Sequence, residues 1–176
     1  MNKNFYQTLV PTFIMVGEDD EDTQMLHEML ERATCYVQSF QWSLPIKNTF
    51  FAGGIGNVIA VFLFEFEKKI NDTDDALWII EGDLPSAYLT VDEIHSATEA
   101  IKYYCDLMDE WINAVTNQLP LINVFPVQTQ PTIDNAKLLF SRIRYIREQI
   151  VPWFEENYAC PEKLSSDSNS EMSVEN

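Results

Sequence analysis

Apolar residues recur at spacings of three and four in a segment that follows an acidic stretch near the start of the chain. The recurring positions are Leu26, Met29, Ala33, Tyr36 and Phe40. This spacing gives a helix one apolar face, so the pattern predicts a first helix that is established from Asp22 onward. The first sixteen residues mix apolar and polar types and predict no particular element.

A different pattern, rich in β-branched and aromatic residues, fills the segment NVIAVFLFEFEKK that starts at Asn57. It predicts a strand that is buried at first and one-sided at its end, where Phe alternates with Glu. The polar segment NDTDDA predicts a turn, and ALWII predicts a second strand that completes an antiparallel hairpin. The flanking segments QWSLPIKNTFFAGGIGN and GDLPSA contain proline and glycine. They predict a connection or bent edge before the hairpin and a turn after it.

Two longer helical patterns complete the chain. The apolar positions of the first are Ile94, Ala97, Ile101, Tyr104, Met108, Trp111 and Val115, and those of the second are Ala136, Leu139, Ile143, Ile146 and Ile150. Thr90 with Glu93 predicts a capping box at the start of the helix that contains Ile94 to Val115. Thr132 predicts the N-cap of the helix that contains Ala136 to Ile150. The proline-containing segment PLINVFPVQTQP between them predicts an extended connection.

These elements predict an α+β fold in which three main helices pack on a small antiparallel β-sheet. The length of 176 residues suffices for one domain with a core, which we assign to residues 1–160. The remaining residues, 161–176, are polar and acidic without periodicity, so we expect a disordered tail.

The composition combines a real core with a strongly acidic surface. Hydrophobic residues make up 46% of the chain, and the net charge is −17. Such a charge repels nucleic acid and anionic membrane and favours encounter with a cationic partner. No apolar run reaches the roughly 18 residues of a membrane span. Three widely spaced cysteines fit neither a disulfide framework nor a zinc site, which indicates a reducing cytoplasm.

The acidic stretch GEDDED, Gly17–Asp22, places five carboxylates together with no cation among them. Three explanations are open: a metal site, a solvated helix start, or a surface for a basic partner. The stretch lacks the alternation of a calcium loop, and the helix dipole explains only the acids of the first turn. We therefore predict partner-binding carboxylates here and on the hairpin turn. They are Glu18, Asp19, Asp20, Glu21, Asp22, Asp72, Asp74 and Asp75.

Catalytic chemistry finds little support in the sequence. His27 and His95 each stand alone in an acidic helix start, and no cysteine lies in a nucleophile motif. Glu81 and Asp83 end a strand and are the best candidates for acid–base work, although a simple turn at Gly82 explains them too. We expect no catalytic residue, no metal and no cofactor. The arginines of the last helix lie beside acids, so we expect ion pairing rather than direct nucleic-acid binding.

A family resemblance covers about Trp78 to Arg147. The segments WIIEGDLPSAYL, YYCDLMDEWINAV and VFPVQTQPTIDNAKLLFSRIRYIRE resemble small bacterial immunity proteins of contact-dependent growth inhibition and related toxin systems. The most characteristic positions are Trp78, Gly82, Asp83, Leu84, Pro85 and Tyr88. The resemblance implies that these are scaffold residues and that the protein blocks a toxin, often a nuclease, delivered by a neighbouring cell.

The sequence thus leads to one main hypothesis and two alternatives. The main hypothesis is an immunity protein that binds a cognate basic toxin domain, one to one, and covers its active site. Nuclease toxins carry basic substrate-binding surfaces, which an acidic protein can occupy. The first alternative is a small metal-dependent or acid–base enzyme that uses Glu81 and Asp83. The second is an acidic interaction protein unrelated to toxins.

Overall fold

The computed structural model describes residues 9–70, 75–92 and 94–158. In these residues, five antiparallel strands form one sheet in sequential order. The strands are β1 (Val10–Pro11), β2 (Ile46–Ile55), β3 (Ile59–Phe66), β4 (Ala76–Gly82) and β5 (Leu84–Thr90). The helices are α1 (Asp20–Gln38), α2 (Ala97–Thr116), α3 (Ile133–Tyr145) and α4 (Val151–Asn157). The predicted tail, 161–176, lies outside the described residues.

Helices cover both faces of the sheet. On β3, Val61 and Leu63 pack with α2, α3 and α4, while Phe62 and Phe64 pack with α1. A strand between two helical layers buries both of its faces, which explains why β3 and β4 are almost continuously apolar. The predicted α+β class and the antiparallel β3–β4 hairpin are confirmed.

Two strands lie where the sequence predicted connecting segments. Ile46–Ile55 forms β2, which pairs with β3 along its length and is bent by register shifts. Gly53, with φ of +140°, lies at one shift, where a Cβ would come within 2.7 Å of Phe154. On the other side of the hairpin, the predicted turn is only Asp83, and Leu84–Thr90 continues as β5. Pro85 is tolerated because β5 is an edge strand of the sheet that the described residues form.

The starts of two helices differ from prediction. The α1 helix begins at Asp20, because the Asp19 carboxylate accepts a hydrogen bond from the Asp22 N–H at 2.8 Å. Thr90 is not an N-cap, so that prediction is wrong: it pairs with Leu77 at the end of β5. The α2 helix instead begins at Ala97, with Ser96 as its N-cap. Glu93, the other half of the predicted box, lies outside the described residues.

A proline determines how α3 continues into α4. Thr132 caps α3 as predicted, accepting a hydrogen bond from the Asn135 N–H. A π-helical turn over Ile146–Ile150 then connects α3 to α4, where Pro152 occupies the first turn. Proline lacks an N–H and its ring clashes with the carbonyl four residues earlier, so the wider turn accommodates it. The three predicted helices therefore correspond to α1, α2 and the continuous α3–α4 segment.

Candidate partner-binding surface

Two carboxylates of the acidic entrance, Glu18–Asp22, hold the local backbone together. Asp19 caps α1, as described above. The Asp22 carboxylate accepts hydrogen bonds from the Glu18 N–H at 2.9 Å and from the Gly56 N–H at 2.7 Å. Asp22 therefore ties the start of α1 to the turn between β2 and β3, which is a structural role.

The other three carboxylates of the acidic entrance project into solvent. Glu18, Asp20 and Glu21 are exposed, and their side chains form no hydrogen bond or ion pair with any described residue. Asp20 and Glu21 lie in the first turn of α1, where the helix dipole favours negative charge. These three side chains are available to an external cation.

An exposed apolar segment lies directly before the acidic entrance. Phe13, Ile14 and Val16, which we name the apolar trio, are 85%, 57% and 73% exposed. Their neighbours Thr12 and Met15 are buried and fix the segment against the sheet. Thr12 also forms a hydroxyl–hydroxyl hydrogen bond with Thr49 of β2. The structure thus presents apolar side chains on an ordered backbone beside carboxylates that are not engaged in the fold.

Asp75, one member of the second predicted set of acids, does not join this surface. Asp75 is exposed, but its carbonyl accepts from the Phe66 N–H at the end of β3. The acidic entrance contacts Gly56, just before the start of β3. Because a strand rises about 3.3 Å per residue, the eight residues of β3 separate the two places by about 25 Å. Asp72 and Asp74 lie outside the described residues.

Most cations of the α2–α3 side contact acids of the chain itself. The Arg142 guanidinium donates to the Asp83 carboxylate at 2.8 Å. The Arg147 guanidinium donates to both Asp106 and Asp109 at 2.7 Å. Arg142 and Arg147 therefore each join two elements of the fold through contacts with carboxylates.

Glu81 lies in a buried polar cluster on the face of the sheet that α1 covers. The residue is 4% exposed, and its carboxylate accepts from the Arg32 Nε at 3.0 Å and from the Ser86 hydroxyl at 2.5 Å. Nearby, burial above all, with Tyr88 and Glu81, raises the pKa of Tyr36 above its usual value. This cluster ties α1 to β4 and β5.

The two carboxylates that the enzyme alternative requires do not converge. Glu81 contacts Arg32 of α1, whereas Asp83 at the hairpin tip contacts Arg142 of α3, on the other side of the sheet. His27 and His95 are both exposed and lie on separate elements. Within the described ranges, no group of three or more His, Cys, Asp or Glu side chains is placed to hold a metal ion.

A groove with a volume of about 560 Å³ lies between α2 and α3. Ile112, Ala136 and Phe140 form its apolar part, and Asn113 and Lys137 belong to its polar lining. It contains neither histidine nor cysteine, and its Asp109 is engaged by Arg147. Its other polar groups include the Ser141 hydroxyl, which donates to the Lys137 carbonyl of the same helix.

Comparison with models of protein families, with curated proteins and with solved structures finds no match to this chain. In the part of the chain that the structure describes, no helix is both long enough and apolar enough to cross a bilayer.

The apolar trio was missed by the sequence reasoning, which left the first sixteen residues open. One signal was present: the segment VPTFIMV is apolar, too short for helical periodicity, and followed at once by GEDDED. Its exposure depended on which of its residues the sheet buries. The sheet takes Thr12 and Met15 and leaves Phe13, Ile14 and Val16 outside.

Proposed function

We propose that this protein is an inhibitor of the immunity type, which binds a basic toxin domain and covers its active site. The observation that carries the proposal is the exposed acidic entrance, whose Glu18, Asp20 and Glu21 side chains contact no described cation. In a chain of net charge −17, these carboxylates favour encounter with a positively charged protein.

A nuclease fits the partner chemistry best. The surface around its catalytic groups is basic, because phosphate neutralisation dominates nucleic-acid affinity. Carboxylates compete with phosphates for the same Arg and Lys side chains, through charge-assisted hydrogen bonds. Inhibition by coverage requires no catalytic residue, and it takes place in the cytoplasm, where the nucleic acid is.

The acidic entrance alone suffices for such a contact. Asp75, about 25 Å away by the length of β3, contacts the toxin only if the interface extends across the sheet. We therefore assign the active-site contact to the acidic entrance and expect Asp75 to contribute little to it.

The test begins with the gene directly upstream of the one that encodes this chain. We expect that gene to encode a large secreted protein with a toxic C-terminal domain. Producing that domain inside cells should stop growth, and this chain should restore it. A purified one-to-one complex of the two proteins should follow. Toxicity that this chain does not relieve would contradict the proposal.

The mechanism has its own test, which uses a catalytically inactive form of the same domain. Nucleic acid bound to the domain and this protein should displace one another, because both occupy the basic groove. A stable ternary complex of domain, nucleic acid and inhibitor would rule out coverage and leave inhibition from a remote site.

A further inference from the structure

We infer that the apolar trio, Phe13, Ile14 and Val16, is the anchor of the interface and inserts into an apolar recess flanked by Lys and Arg side chains on the partner. This inference rests on the proposed function and adds to it a division of roles. The trio holds the complex together, and the carboxylates of the acidic entrance govern how fast it forms.

The backbone of the trio is fixed before any partner binds. Val10 and Pro11 pair with Phe51 and Phe50 of β2, and a 3-10 turn over Thr12–Ile14 follows. Burial of Met15 then returns the chain to the sheet. Because the fold has already ordered this backbone, a partner does not bear that entropic cost, which favours a tight contact.

The side chains of the trio match the composition of interface centres. Protein interfaces have apolar, aromatic-rich centres and polar rims, and a few central residues carry most of the binding energy. Phe13 is 85% exposed and Val16 is 73% exposed, so their burial would remove much apolar surface from water. Glu18 follows Val16 by two residues, within about 7 Å, so the charged rim adjoins the apolar centre.

Charge decides what kind of partner can cover the trio. Glu18, Asp20 and Glu21 adjoin it and meet no cation of the described chain, so an occupant must bring positive charge. A second copy of this chain would place two acidic runs together in a symmetric contact, which like charges oppose. An anionic membrane surface is repelled in the same way. The remaining occupant is a basic protein surface.

The experiment measures association and dissociation rates of this protein with the catalytically inactive C-terminal domain encoded upstream. Phe13→Ala and Val16→Ala are compared with Ile122→Ala, a matched control whose residue is 88% exposed in the α2–α3 connection. We expect Phe13→Ala to raise the dissociation rate about 30-fold and Val16→Ala to raise it about fivefold, with association changed less than about threefold. Ile122→Ala should leave both rates unchanged.

Each other outcome overturns the inference. If the wild-type protein binds and both trio variants dissociate at its rate, the anchor lies elsewhere while the proposed function stands. An equal effect of Ile122→Ala moves the contact to the α2–α3 connection. A wild-type dimer that Phe13→Ala converts to a monomer, in analytical ultracentrifugation, would make a second copy the occupant. Failure of the wild-type protein to bind the domain would remove the proposed function, and the inference with it.

Discussion

The α2–α3 side and the acidic entrance use charge in opposite ways. On the α2–α3 side, Lys102, Arg142 and Arg147 contact acids of neighbouring elements, so that charge is matched within the fold. At the acidic entrance, Glu18, Asp20 and Glu21 contact no cation in the described part of the chain. Carboxylates that form no ion pair with a described residue remain available to contact another molecule. This difference supports our proposal that the acidic entrance binds the partner and that the α2–α3 side is scaffold.

The scaffold should depend on pH through its buried thiol and phenols. Burial raises the pKa of Cys105 from 9.0 to about 12, and burial also raises the pKa of Tyr104. As the pH rises, these groups lose their protons at a lower pH in the unfolded state than in the folded state. The contribution of the protonated groups to the stability of the folded state is therefore fully present below about pH 9, and it is lost as the pH rises toward 12.

This loss of stability at alkaline pH is the largest effect that we expect, and at high enough pH the protein should unfold. Urea midpoints measured from about pH 8 upward should fall steeply above pH 9. Cys105→Ala should flatten the first part of this fall, whereas Cys35→Ala, at an exposed thiol, should not. Identical pH profiles for the wild type and Cys105→Ala would show that the thiol is not the group responsible.

The next largest effect should come from the apolar centre of the scaffold. Trp111 is buried on α2, and truncating it to Ala should lower the free energy of unfolding by about 3–5 kcal/mol. Urea denaturation gives this value, and binding should fail only to the extent that the protein unfolds. A Trp111→Ala variant that folds stably but no longer binds would make this residue part of the interface and would reverse our assignment of the two regions.

A smaller effect should separate a buried carboxylate from an exposed one. Glu81→Ala leaves Arg32 and Ser86 without their partner and should cost about 2–3 kcal/mol of stability. Asp83→Ala breaks an exposed pair with Arg142 and should cost less than about 1 kcal/mol. Equal losses in urea denaturation would contradict the structural role that we assign to the Glu81 cluster.

The smallest effects should distinguish two kinds of carboxylate in the acidic entrance, one that accepts backbone hydrogen bonds and one that is exposed. Asp22→Ala removes the acceptor for the Gly56 and Glu18 N–H groups and should cost about 1–2 kcal/mol. Asp20→Ala should change the free energy of unfolding by no more than about 0.5 kcal/mol, since its exposed side chain forms no hydrogen bond or ion pair with a described residue. If Asp20→Ala destabilises as much as Asp22→Ala, the exposed acids are part of the fold and not reserved for a partner.

The sequence predicted the parts of this fold that local pattern determines. The core positions of α2, from Ala97 to Val115, follow from periodicity, and the Thr132 cap follows from side-chain chemistry. It did not predict β2 or β5, because glycine and proline in these strands resemble turn residues until the neighbouring strand is known. Thr90 was misassigned for the same reason, since pairing with Leu77 decides its conformation.

The candidate site was predicted only in part, for a related reason. The acidic run is visible in the sequence, but the division between Asp22, which binds the turn at Gly56, and Asp20, which binds nothing in the described chain, depends on tertiary contacts. The separation of Asp75 from the entrance depends on the direction of β3. The exposure of Phe13 depends on the sheet burying its neighbours Thr12 and Met15.

The central claim, that the acidic entrance meets the partner, is tested most directly by two variants of equal net charge. The first carries Glu18→Gln, Asp20→Asn and Glu21→Gln. The second removes three exposed acids elsewhere, through Glu110→Gln, Asp134→Asn and Glu156→Gln. Asp134 lies in the first turn of α3, as Asp20 does in α1.

The measurement is the association rate of each variant with the inactive toxin domain at low ionic strength. We expect the first variant to associate about tenfold more slowly than the wild type and to lose most of its salt dependence. The second should slow by less than about twofold, because the charges removed lie away from the contact. Equal rates for the two variants would show that only the overall charge matters, and would contradict the assignment of the acidic entrance as the binding surface.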